Sequence, residues 1–400
     1  MIDISGGITA PRGFRAGATD CGIKDNDKLD LTILMSDSPA TCAGMFTTNR
    51  VKGAPVLVSR ENVKNGSAQA IIANSGNANV CNGEHGFTSA FSMIEETAGV
   101  LKIDSSDVLV ASTGVIGRRF PIEKVLKGIP LAASDLSTDG GERAARAIMT
   151  TDTVHKQTSI EVGIGGEIVR IGAIAKGAGM ICPTLATMFC FVTTDAAIET
   201  AALRKALKSA VSASFNCITV DGDMSTSDTV LILANGEAGN VPLKSRSRAF
   251  DIFTEALTEV CLRMAKALVQ DAEGATRLIT IRVTGASGRE DAHRVGMSVA
   301  NSPLVKTASF GSDPNWGRII CAIGYSGVPV DEHLVTIAIN GVTLYETGKV
   351  LPMDEPAMRK NMSNQEINID IDLGMGQAES VVYTSDLSYE YVKINAEYTT

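Results

Sequence analysis

Aromatic side chains are scarce in this chain, at 4% of 400 residues with a single tryptophan. Packing must therefore rest on small and branched aliphatic residues, and an apolar content of 44% is enough to bury a sizeable core. Histidines number four, with no His-x-x-x-His pair. The eight cysteines (21, 42, 81, 182, 190, 217, 261 and 321) are scattered, with no Cys-x-x-Cys. Those spacings argue against a zinc site and for reduced, mostly buried thiols, so no metal is expected. No apolar run approaches the ~18 residues of a membrane span. The start, Met1-Ile-Asp-Ile-Ser, lacks the basic-then-apolar pattern of a secretory signal, so the expected location is the cytoplasm. A net charge of −9 lacks the excess of cations that nucleic acid would select, so neither a nucleic-acid nor a membrane partner is expected. There is no Gly-x-Ser-x-Gly elbow, internal repeat, low-complexity tract or long linker.

Short apolar runs are present, and their lengths predict strands at 31–35, 70–73 and 108–111. Gly165-Gly166 between 159–164 and 167–171 predicts a tight hairpin. Asn340-Gly341 between 335–339 and 342–345 predicts a second, since both residues accept positive φ. Helical stripes comprise Phe91, Ile94, Ala98 and Leu101; Leu203, Leu207 and Val211; and Phe253, Leu257, Val260 and Met264. Such stripes are read as core packing. Hairpins mixed with helices predict an α+β fold, with layered helices over mixed or antiparallel sheets.

One segment invites chemistry. Lys176-Gly-Ala-Gly-Met-Ile-Cys-Pro-Thr-Leu-Ala-Thr187 runs into the apolar stretch Met188–Val192, which reads as a buried strand. Thr187 is either an ordinary β-branched residue at a strand entrance or a nucleophile. As a nucleophile it needs a base. Its own α-amine, with a pKa of roughly 7.7–8.0 in a free chain, would serve if the Ala186–Thr187 bond were cut. Thr113-Gly114, after the apolar run 108–111, is either a strand-end turn or a place where a hydroxyl and an unhindered N–H meet.

The Lys176–Met188 segment resembles the self-processing segment of the ornithine acetyltransferase family, also called glutamate N-acetyltransferase or ArgJ. Further blocks resemble it in order along the whole chain: Asn74-Ser-Gly-Asn-Ala-Asn79, Ala111-Ser-Thr-Gly-Val-Ile-Gly117, Met149-Thr-Thr-Asp-Thr153, Thr219-Val-Asp-Gly-Asp223, Asp271-Ala-Glu-Gly-Ala275, Asp313-Pro-Asn-Trp-Gly-Arg318 and Asn395-Ala-Glu-Tyr-Thr-Thr400. The resemblance implies the fold of ArgJ and of DmpA-like enzymes with an N-terminal nucleophile. It implies a precursor that cuts itself between Ala186 and Thr187 into an α fragment (1–186) and a β fragment (187–400), assembled two and two. Thr187 would then carry acetyl from N-acetylornithine to glutamate, a step of arginine biosynthesis. No cofactor is implied. Acetyl-CoA stands as an additional donor in some members, although no phosphate-cradling Gly-rich loop precedes a helix here.

By the same resemblance, Thr113 and Gly114 form the oxyanion site, and Thr153, Lys176, Thr187, Glu273, Asn395 and Thr400 bind substrate. The charges suit the substrates, since Lys176 can meet a carboxylate and Glu273 an ammonium. The alternation in Tyr391-Val-Lys-Ile-Asn395 runs almost to the last residue, which reads either as a tail folded into the site or as an edge strand. The chain departs from the common family pattern at Cys182 and Thr184, where a His and an Asn usually flank the proline. That removes a His from the candidates for the base of self-cleavage. An N-terminal-nucleophile aminopeptidase or amidase, and a non-catalytic binding relative, are the alternative readings.

Overall fold

Strict alternation of small aliphatic residues gives the larger sheet of this protein two buried faces. Leu31, Ile33, Ala70, Ile72, Val108 and Val110 pack on one side against helices Gly83–Leu101 and Ile122–Ser134. The intervening Leu34, Ile71, Ala73, Leu109 and Ala111 pack on the other side with Phe14, Phe189, Phe191 and Leu231. Successive side chains of a strand point to opposite faces, so burial on both makes these strands continuous apolar runs.

The computed structural model describes residues 1–25, 27–182 and 188–397. They form two units, Met1–Asn216 with Asp223–Leu268, and Cys217–Gly222 with the chain from Val269 on. The first holds, among the described residues, a nine-stranded mixed sheet. Its order is Ile2–Asp3, Lys156–Ile164, Glu167–Lys176, Phe189–Thr194, Thr229–Ala234, Leu31–Phe46, Ser67–Asn74 and Val108–Ser112, with Phe14–Thr19 also paired to Leu31–Phe46. Phe189–Thr194 lies between an antiparallel and a parallel neighbour. The expected strand at 188–192 is therefore an inner strand, Phe189–Thr194.

The second unit carries a seven-stranded sheet among the described residues. Only one face is apolar here. In Glu366–Asp372 the isoleucines 367, 369 and 371 are buried, whereas Glu366, Asn368 and Asp372 are exposed. Helices Arg289–Ala300 and Trp316–Gly324 cover the apolar face. The α+β class is thus observed, with helices laid over mixed sheets.

Both expected hairpins form. Gly165 and Gly166 sit at φ 63° and 96° between paired Ile164 and Glu167. Asn340 and Gly341 sit at φ 46° and 80° between paired Ile339 and Val342, as a turn matching strand twist requires. Two expectations are corrected. Phe91 is 51% exposed, so the stripe on Gly83–Leu101 is narrower than its spacing suggests. The C-terminal alternation is not a strand: Tyr389–Glu397 is a helix with no buried residue. Tyr391, Ile394 and Asn395 share a helical face at three- and four-residue spacing, which a five-residue window cannot tell from alternation. No helix among the described residues is long and apolar enough to cross a membrane.

Candidate active site

Two parallel strands, Ser67–Asn74 and Val108–Ser112, end side by side, with Asn74 opposite Ser112. The Thr113 N–H donates to the Asn74 carbonyl at 3.1 Å, which turns the chain at the strand end. Gly114 follows at φ 128°, and a Cβ there would lie 2.3 Å from the Gly76 carbonyl carbon. Only glycine fits so close an approach at that angle. Among the described residues nothing accepts the Gly114 N–H. Thr113, the residue before it, is buried at the same strand end. Hydroxyl and free N–H at one strand end are the donors an oxyanion needs.

Lys176 closes the strand Glu167–Lys176 and is almost wholly buried. Its ammonium donates to the Thr113 hydroxyl oxygen at 3.4 Å. Behind it stands Asp152, from the Met149–Thr153 block. One carboxylate oxygen accepts from Lys156 Nζ at 2.7 Å and from the Gly177 N–H at 2.8 Å; the other accepts from the Thr150 N–H at 3.0 Å. Burial alone would raise the Asp152 pKa, but the Lys176 and Lys156 ammoniums and the Gly177 N–H hold it down at about 2. An anion so fixed offsets the cost of burying the lysine ammonium beside it. Thr153, next along the chain, is exposed.

Where the inner strand begins, the Met188 N–H donates to Asp228 Oδ1 at 2.9 Å. The Asp228 side chain is fully buried, and burial pushes its carboxyl well above the usual range, against the pull of the Met188 N–H and Lys176. Ala186 and Thr187, expected at the cut and as nucleophile, lie outside the described residues, as does Thr400.

In the second unit, Asn395 Nδ2 donates to Glu273 Oε2 at 2.9 Å, so these two expected site residues do meet. The Glu273 loop is tied down by its neighbours. Ser388 Oγ donates to the Gly274 carbonyl at 2.6 Å, and Asp386 accepts the Thr276 and Arg277 N–H groups at 2.8 and 3.0 Å. Beneath lies Lys306, buried, donating to Thr384 Oγ1 at 2.8 Å and to the Ser385 carbonyl. Burial lowers its pKa to about 7, against the fields of Asp386 and Asp221.

Sequence reading singled out Thr113, Gly114 and Lys176, and the fold brings them together. It passed over Asp152 and Lys156, four residues apart beside Thr153, and Asp228, a carboxylate directly before the wholly buried run Thr229–Ala234. An acid at the mouth of an apolar strand was the available signal.

Residues 15–400 match the ArgJ family model. The chain is 47% identical over 399 residues to the arginine biosynthesis bifunctional protein ArgJ of Symbiobacterium thermophilum, covering 99% of each. It is 46% identical to the protein so described from Caldanaerobacter subterraneus, covering all of both chains. Among solved structures it resembles an arginine biosynthesis bifunctional protein ArgJ from Bacillus halodurans, with TM-score 0.51 and 39% identity over 52% of this chain and 98% of that one. A family match over nearly the full length, with relatives this similar end to end, means that the chain belongs to the ArgJ family.

Proposed function

We propose that this protein moves an acetyl group from N2-acetylornithine to glutamate through an ester on Thr187, after cutting itself between Ala186 and Thr187. The observation that carries this reading is the strand end where the buried Lys176 ammonium meets the Thr113 hydroxyl, with Gly114 next in the chain at an angle only glycine takes. Membership of a family whose curated relatives are described as arginine biosynthesis proteins supports the pathway.

In the first half-reaction the Thr187 α-amine takes the hydroxyl proton while Oγ adds to the acetyl carbonyl carbon. The Thr113 hydroxyl and the Gly114 N–H hold the oxyanion. The bond from that carbon to the ornithine nitrogen breaks, and the nitrogen leaves with the proton from the amine. In the second half the amine of glutamate attacks the ester, the same groups serve again, and Oγ regains its proton. Lys176 meets a substrate carboxylate. Glu273, oriented by Asn395, takes the ornithine side-chain ammonium, and Thr153 and Thr400 supply hydroxyls. Acetyl-CoA serves as a second donor, for which the relatives' description as bifunctional is the support. The working form is two α and two β fragments in the cytoplasm, with no cofactor.

A denaturing gel with N-terminal sequencing tests the cut: a fragment beginning Thr-Met-Phe-Cys is expected, and an intact chain with full activity would falsify the mechanism. Product analysis tests the acceptor: acetyl must appear on glutamate, whereas free acetate would make the enzyme a hydrolase.

A further inference from the structure

Asp228 is buried, and the reaction above does not use it. Its Oδ1 accepts the Met188 N–H at 2.9 Å. That nitrogen is bonded to the carbonyl carbon of Thr187. The other oxygen, Oδ2, is buried and makes no hydrogen bond of ordinary geometry among the described residues, although the Thr47 and Ser225 hydroxyls lie near enough to act on the carboxyl. A buried polar atom left unpaired costs about 1–3 kcal/mol, and such atoms in native proteins commonly mark a group kept for chemistry. Among the described residues no ion pair reaches this carboxyl, in contrast to Asp152 with its lysine at 2.7 Å. Burial therefore favours its neutral, proton-bearing form.

We propose that Asp228 is the acid–base group of the self-cleavage step, carrying the proton of the Thr187 hydroxyl to the Thr187 nitrogen. This deepens, and rests on, the reading of Thr187 as nucleophile. The hydroxyl oxygen adds to the Ala186 carbonyl carbon, and its proton passes to one oxygen of Asp228. The proton on the other oxygen passes to the Thr187 nitrogen as the C–N bond breaks. The result is an ester of Ala186 on Thr187 Oγ and a free α-amine, with the carboxyl restored. Water then hydrolyses the ester, leaving the Ala186 carboxylate and the free hydroxyl. A proton shuttle of this kind takes the place of a histidine, which the segment lacks at Cys182.

Newly synthesised full-length chain, followed by pulse-chase on a denaturing gel, tests the assignment. Asp228→Asn keeps an acceptor for the Met188 N–H but cannot shuttle a proton. Its cutting should slow by at least ~10²-fold, with thermal unfolding near that of wild type. Thr187→Ala is the control and should stay whole. Asp228→Asn cut at the wild-type rate beside an uncut Thr187→Ala overturns the role of Asp228 and leaves the nucleophile standing. A cut Thr187→Ala overturns the nucleophile itself. If Asp228→Asn fails to fold, the wild-type cutting rate against pH decides. Lys176 is the charged group whose field reaches Asp228, while Thr47 and Ser225 offer only hydroxyls. A neutral acid requires the rate to fall as pH rises through the titration of Asp228; a rate that climbs steadily with pH overturns the proposal.

Discussion

Lys176 Nζ stands 3.4 Å from Thr113 Oγ1, and the two residues are 63 positions apart in the chain. The contact links the end of one strand to the end of another across the first unit, and Asp152 behind it fixes the charge. Lys176 and Lys156 both serve that aspartate, but in different ways.

Lys156 makes the direct ion pair with Asp152, both side chains being almost fully buried. Removing one partner leaves a buried charge. Lys156→Met should cost about 3–5 kcal/mol in denaturant unfolding. Lys176→Met should mainly cost acetyl transfer, seen as a raised KM for acetylornithine. Equal losses of stability with no difference in activity would make both lysines structural.

Thr113→Ala removes one oxyanion donor. Turnover should fall by roughly 10²-fold with KM for acetylornithine nearly unchanged, and Thr113→Ser should restore most of it. A change confined to KM would make Thr113 a substrate contact. Gly114→Ala should fail for another reason, because its Cβ would meet the Gly76 backbone at 2.3 Å; a lowered melting temperature is the expected readout.

Asn395 donates to Glu273 at 2.9 Å, so substitutions at the two should move the same constant. Glu273→Gln should raise KM for acetylornithine more than KM for glutamate, since only ornithine brings a side-chain ammonium. Asn395→Ala should shift the same constant by less. Deleting residues 398–400, which include Thr400, should weaken substrate binding while leaving the cut intact. Unaltered kinetics in the truncated enzyme would exclude the tail from the site.

Lys306 should imprint a pH dependence on stability. Its pKa is lowered by burial to about 7 in the fold and is near the ordinary ~10.4 when unfolded. Between those values the unfolded chain binds more protons, so this residue's contribution makes stability rise with pH across the window. It is fully present above the unfolded value and lost as pH falls through about 7. Lys306→Met removes the term. The melting temperature of the variant relative to wild type should therefore decline from pH 6 to pH 10, as measured by scanning calorimetry. A constant difference would show that Lys306 does not titrate there.

What the sequence by itself determined is local or collinear. The hairpin at Asn340-Gly341 was readable because both positions need positive φ, and the apolar runs because burial on two faces leaves no room for polar residues. The ordered blocks from Asn74 to Thr400 pointed to the family without any geometry. Only the tertiary structure decided which charges meet. Met188 and Asp228 are 40 residues apart, Lys176 and Thr113 are 63 apart, and Glu273 and Asn395 are 122 apart. Strand order and register produce those contacts, and a periodic pattern records which face a residue takes but not which strand lies beside it. The tail was misread for a related reason: five residues of alternation satisfy a strand and a helical face alike, and Tyr389–Glu397 forms a helix whose Asn395 reaches Glu273.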